Sequence, residues 1–132
     1  MLTIKYVNFH LTKNIDPSFK GAQGLYADDT DTIYIDSRLT SKTFYSRKTV
    51  EYHERGHRLI RRGGVLKHFT EIQEEAFCDL WCIYRYPYKK LSGLELMLKR
   101  DVCSRKTKRG QVKRILALVG VKPTKKLIEV FC

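Results

Sequence analysis

Residues 53–57 read His53-Glu54-Arg55-Gly56-His57, an instance of the pattern His-Glu-x-x-His. Side chains four residues apart share one face of an α-helix, so two imidazoles at this spacing can reach a single metal ion. The carboxylate beside the first His can reach a water on that ion. Zinc hydrolases are built this way: the metal acidifies water and the Glu takes its proton. Two imidazoles do not complete such a site, because a catalytic zinc takes three protein ligands and one water.

The third ligand must come from elsewhere. The metzincin pattern requires His at position 63 and Gly at position 60, which here are Gly63 and Ile60, so that class is excluded. His68 follows eleven residues after His57 in an expected loop, and His10 sits at an expected strand end. A carboxylate on a second helix is the stronger choice. Glu75-Ala76-Phe77-Cys78-Asp79 has the form Glu-x-x-x-Asp. Glu75 can bind the metal while Asp79, one turn on, accepts a hydrogen bond from the far nitrogen of a ligating His and fixes its tautomer. Glu71 and Glu74 compete for the ligand role. Glu74 points about 100° away from Glu75 on a helix, and Glu71 has no acid one turn later. Peptide hydrolysis also needs a donor for the oxyanion; Tyr52, His68, Tyr84 and Tyr86 are candidates, and the sequence does not choose among them.

The elements that must position these groups are legible as periodicity. Leu2-Thr3-Ile4-Lys5-Tyr6-Val7-Asn8-Phe9 alternates and reads as a strand. Residues 12–23 read as a connection. Gly24-Leu25-Tyr26-Ala27 and Thr32-Ile33-Tyr34-Ile35-Asp36 flank a polar turn, a hairpin signal. Ser41, Thr43 or Ser46 can cap the next helix, along which Val50, His53, His57 and Ile60 form one stripe. Gly63-Gly64 ends it. Gly56 is a poor helix residue, which points to close approach of a strand or substrate. A second helix starts with Thr70-Glu71-Ile72-Gln73, a capping box, and carries a stripe of Ile72, Ala76, Leu80 and Ile83. It must stop before Pro87. Short basic helices follow over 91–103, 111–119 and 124–131, with Leu94, Met97 and Leu98 as the apolar residues of the first.

A chain of 132 residues is most simply one domain with a real core. No stretch approaches a membrane span or a signal peptide's apolar region, so an intracellular, cytoplasmic protein is the expectation. Four Cys, at 78, 82, 103 and 132, lack both a secreted disulfide framework and a Cys-x-x-Cys knuckle. Cys78 and Cys82 read as small buried apolar residues. The net charge of +12 is uneven: residues 85–132 hold 14 Lys and Arg against 3 acids, whereas residues 1–84 hold 12 against 11. Such asymmetry points to an acidic partner, nucleic acid above all.

His-Glu-x-Gly-His, a following helix with Glu-x-x-x-Asp and then Pro, preceded by the hairpin from Gly24 to Leu39, resembles the ImmA/IrrE-type metallopeptidases, a branch of the gluzincin-like zincins. The resemblance spans roughly residues 20–87. It implies an α+β, zincin-like fold, with a small antiparallel-containing sheet packed on an active-site helix and a second, ligand-bearing helix. It implies zinc (Zn2+) on His53, His57 and Glu75, Glu54 as catalytic base, and a regulatory endopeptidase acting on DNA-binding repressors. Arg55 stands where the family commonly has an apolar residue, and the basic C-terminal segment lies outside the motif.

The expected organisation is therefore a metallopeptidase core over residues 1–87 and a basic helical extension over 88–132, packed on the same domain. The expected function is zinc-dependent hydrolysis of a peptide bond in a protein substrate, such as a DNA-bound regulator. The alternative is a nucleic-acid-binding regulatory protein with a structural or degenerate zinc site, with Lys106, Lys108, Arg109, Lys113 and Arg114 as contacts. Glu54 separates the two, because a structural site needs no free carboxylate beside its first His.

Overall fold

The computed structural model of the chain describes residues 1–13, 16–40, 46–85 and 91–132. Strand β1 (Thr3–Val7) leads through Asn8 into a single helical turn, α1 (Phe9–Thr12), whose first amides donate to the Asn8 side chain. The expected strand thus ends two residues early, because Asn8 satisfies the α1 backbone and drops Phe9 into the interior. A 3-10 turn (Pro17–Phe19) follows, then β2 (Gly24–Ala27) and β3 (Thr32–Asp36). The sheet order is β1-β3-β2, with β1 parallel and β2 antiparallel to β3. The hairpin expected from the sequence is therefore present, inside a mixed three-stranded sheet.

Helix α2 (Arg47–Arg62) is capped by Ser46, whose hydroxyl accepts from the Thr49 amide. The other cap candidates, Ser41 and Thr43, lie outside the described residues. Gly64, at φ +68°, takes the left-handed conformation that ends the helix. After a 3-10 turn (Leu66–His68) comes α3 (Glu71–Arg85), opened by a reciprocal pair in which the Gln73 amide donates to Thr70 Oγ1 and the Thr70 amide to Gln73 Oε1. Pro87, the expected stop, also lies outside the described residues. Helices α4 (Gly93–Cys103), α5 (Lys108–Val119) and α6 (Lys125–Phe131) complete an α+β chain of six helices and three strands among the described residues. None of these helices is long and apolar enough to cross a membrane.

Two apolar clusters meet on α2. Tyr26, Ile33, Ile35, Leu39 and Val50 join the sheet to its N-terminal half. Ile60 belongs to a larger cluster with Phe77, Leu80, Trp81, Val102, Val112, Ile115, Leu127 and Phe131. That second cluster draws side chains from both sides of position 87. The apolar stripe expected on α3 holds in its second half, where Leu80 is buried and Ile83 packs on the core, and is corrected in its first. Ile72 is 83% exposed and Ala76 is exposed, whereas Phe77, Cys78, Trp81 and Cys82 face inward. Aromatic area decides the rotation: Phe77 stacks on Trp81 with centroids 5.7 Å apart and meets Phe131 at 4.5 Å. In α4, Leu94 and Met97 likewise point outward, Leu98 is partly buried, and Val102 enters the core.

Ion pairs hold the sheet and α3 against α2. Asp31, a buried residue at φ +48° in the hairpin turn, receives Arg58 Nε at 2.8 Å and the Tyr26 hydroxyl at 2.8 Å. Across the other face, Arg61 donates to Glu74 at 3.1–3.2 Å. Between these two anchors Gly56 allows a close helix crossing. A Cβ there would sit 3.0 Å from Cys78 Sγ and 3.1 Å from Cys78 Cα. The close approach foreseen at Gly56 is thus made by a helix, rather than by a strand or substrate.

Candidate metal centre

His53 and His57 lie one turn apart on α2 with ring centroids 5.0 Å apart, and both are partly buried. Glu75, on α3, reaches both rings. Its Oε2 is 3.1 Å from His53 Nε2 and its Oε1 is 3.1 Å from His57 Nε2. Each ring is held from behind by a second carboxylate: His53 Nδ1 is 2.8 Å from Asp79 Oδ1, and His57 Nδ1 is 2.7 Å from Glu74 Oε1. The five residues form one arc across the α2–α3 crossing that Gly56 permits.

The donor chemistry of this arc is informative. Asp79 and Glu74 are the natural acceptors for the two Nδ1–H groups, which leaves each neutral ring with a lone pair on Nε2. Both lone pairs then face oxygens of Glu75 that also carry lone pairs. Acceptor opposed to acceptor is stable only with a cation or proton between them. Ligands on a tetrahedral zinc with bonds of about 2.0–2.1 Å stand about 3.3 Å apart, close to the 3.1 Å found here. The residues present fit a metal ion.

A sulfur also approaches. One nitrogen each of His53 and His57, together with Cys78 Sγ, lie within 4.8 Å of one another, a group that could hold a metal ion. Cys78 is fully buried, and burial, with the charges of Glu75, Glu74, Glu54 and Asp79 added to it, pushes its thiol far above its usual range. Binding metal as thiolate would therefore work against four carboxylates. Glu75, half-exposed and already aimed at both Nε2 atoms, is the better third donor. Cys82, also buried and pushed up to about 12 mainly by burial, donates to the Thr49 carbonyl. All four Cys are free.

Glu54, next to His53 on α2, is 7% exposed. Burial raises its pKa, partly offset by His57 and His53. Burial opposes the charged form of His53, but the Asp79 hydrogen bond and the carboxylates of Glu54, Asp79 and Glu75 outweigh it and raise the pKa. Glu54 is wedged beneath β2. A Cβ on Gly24 would lie 2.4 Å from Val50 Cγ1 and 2.9 Å from Glu54 Cγ, so only a glycine lets the strand pass this close.

Both His53 and Glu54 open onto a cleft of about 830 Å³, walled by β2, α2, α3 and the start of α4. His53, Glu54, Glu75 and Asp79 line it together with Val50, Ile83, Leu94 and Leu98, and among the described residues no Lys or Arg does. Of the expected oxyanion donors, Tyr52, His68 and Tyr84 are not among the lining residues. Tyr84 donates instead to Gln111 Oε1, His68 sits in the 3-10 turn after α2, and the Tyr52 ring lies under Lys48 Nζ. Tyr86 lies outside the described residues. Glu71, at the start of α3, is exposed, and neither it nor His10 takes part in the arc.

The role of Glu74 was not read from the sequence. It is 4% exposed, between His57 and Arg61. The available signal is its place three, four and seven residues before Phe77, Cys78 and Trp81 on the buried stripe, a stripe masked by reading Ile72 and Ala76 as apolar. Of the expected nucleic-acid contacts, Lys106, Lys108, Arg109 and Lys113 are exposed, while Arg114 is tied to Asp101 at 2.8 Å. The chain matches no family model, no curated protein and no solved structure.

Proposed function

We propose that the chain is a zinc-dependent endopeptidase of the minimal zincin type, as its likeness to the ImmA/IrrE-type metallopeptidases implies, with His53, His57 and Glu75 as ligands. The observation that carries this reading is the pair of imidazole lone pairs facing one carboxylate, each ring fixed from behind by an acid. A zinc ion there would supply Lewis-acid polarisation of the scissile carbonyl and acidify a water.

The remaining chemistry belongs to the chain. Glu54, buried and raised in pKa, takes the proton of the attacking water and passes it to the leaving amine. Asp79 and Glu74 keep the Nδ1 protons in place, so both Nε2 atoms stay ligands. The cleft wall of Val50, Ile83, Leu94 and Leu98 excludes water and accepts apolar substrate side chains. The substrate is a protein, for which the family likeness suggests a DNA-bound regulator.

The test is metal content paired with cleavage of a quenched-peptide library. Wild type is expected to hold one zinc per chain. Glu54→Gln should keep the metal and lose cleavage, and His57→Ala should lose the metal. Glu75→Ala should lose zinc while Cys78→Ser keeps it; the reverse result moves the third ligand to sulfur. Purified wild type without stoichiometric metal ends the enzyme reading.

A further inference from the structure

From residue 102 to residue 128 the chain holds nine Lys and Arg and no Asp or Glu. Eight of the nine are exposed. Arg114 and Arg105 pair with Asp101, and Lys108 donates to the Cys132 carbonyl. Lys106, Arg109, Lys113, Lys122, Lys125 and Lys126 have no acid within 4.0 Å among the described residues. Arg109 and Lys113 are four apart and share a face of α5.

The placement of these charges works against the fold. Lys108 and Arg109 occupy the first turn of α5, Lys125 and Lys126 that of α6, and neither turn holds an acid. The partial positive charge of a helix N-terminus disfavours cations there. Folding therefore does not account for them; an external polyanion does.

Three features narrow the polyanion. No aromatic residue occurs between 102 and 128, so there is no platform on which unpaired bases can stack. Leu118, at 37%, is the only large apolar side chain exposed there, so there is no wedge for a lipid surface. Finally, α5 spans 12 residues, about 18 Å, over which a duplex presents about ten phosphates. We propose that the α5–α6 surface binds double-stranded DNA through its phosphates, independently of base sequence. This surface is separate from the cleft, which no Lys or Arg lines among the described residues.

The experiment is fluorescence anisotropy of the purified full chain with a labelled duplex of about 20 base pairs across a salt series. With six phosphate contacts the log–log slope is about −5, a loss of about 10³-fold in affinity between about 50 and 200 mM salt. Neutralising Lys106, Arg109 and Lys113 together to Gln should halve the slope, leaving a loss of about 30-fold over the same range. The triple Lys122, Lys125 and Lys126 to Gln should do the same. Lys5→Gln with Lys20→Gln, on exposed residues outside this segment, should leave the slope unchanged, and two unrelated duplex sequences should bind alike. Unaltered thermal unfolding of the triples keeps the comparison on binding. No saturable binding at about 50 mM salt, tighter binding to single strands, binding to anionic vesicles in place of duplex, or a slope unmoved by both triples overturns the proposal.

Discussion

Glu74 and Asp79 do the same job from different surroundings, and that contrast yields a quantitative expectation. Each accepts from the Nδ1 of a His that the proposed zinc site uses as a ligand, at 2.7 Å and 2.8 Å. The Glu74 side chain is 5% exposed and that of Asp79 72%. Losing such an outer partner weakens metal binding about 10- to 100-fold, roughly 1.4–2.7 kcal/mol. Solvent decides where each falls. Water can take over the Asp79 bond, and its charge is already screened, so Asp79→Asn belongs at about 10-fold. No water replaces Glu74. Glu74→Gln keeps an oxygen for His57 but removes the charge that also holds Arg61, which puts it at about 100-fold. The assay is competition for zinc against a chromophoric chelator at neutral pH, with circular dichroism to confirm folding. The two variants should differ about tenfold. Equal losses, a larger loss for Asp79→Asn, or wild-type zinc affinity in Glu74→Gln would refute the burial argument.

Two further outcomes follow from the packing around α2. Gly56→Ala gains about 1 kcal/mol of helix propensity in isolation, but its Cβ would press on Cys78 Sγ and Cα at 3.0 and 3.1 Å. Overpacking of this kind costs about 1–3 kcal/mol. The variant should melt lower and bind zinc more weakly; a higher melting temperature would show that the helices are not in contact there. Asp31→Asn keeps a residue that tolerates positive φ but removes the anion that Arg58 and Arg62 share. The Arg58 hydrogen bond holds the Asp31 carboxyl well below the usual range, so its contribution is complete above the unfolded-state value near 4 and is lost as pH falls through the lower folded value. In urea unfolding, the deficit of Asp31→Asn should be full at neutral pH and shrink below about pH 4; a deficit independent of pH would remove the ion pair as its cause.

Local pattern carried much of this protein. Helix periodicity placed His53 and His57 on one face, serine and threonine caps marked helix starts, and alternation around residues 28–31 marked the hairpin, since each depends on neighbours within about one turn or one strand. Glu75 and Asp79 were legible because their spacing has a mechanical meaning on a helix. The rotation of α3 was not, because the competition between Ile72–Ala76 and Phe77–Trp81 for the interior is settled by Phe131, Val112 and Ile115, which lie far along the chain. Glu74 followed from that rotation: once Phe77 and Trp81 turned inward, its carboxylate was buried where only His57 and Arg61 could satisfy it.

The sequence by itself determined which groups could ligate a metal and which helix faces held them. The tertiary structure decided which carboxylate meets which nitrogen, that Tyr84 is taken up by Gln111, and that α4 walls the cleft. The physical reason is range. Backbone periodicity is written within a few residues, whereas the distance from His53 Nε2 to a Glu75 oxygen spans 22 positions and depends on how closely Gly56 lets α2 and α3 approach.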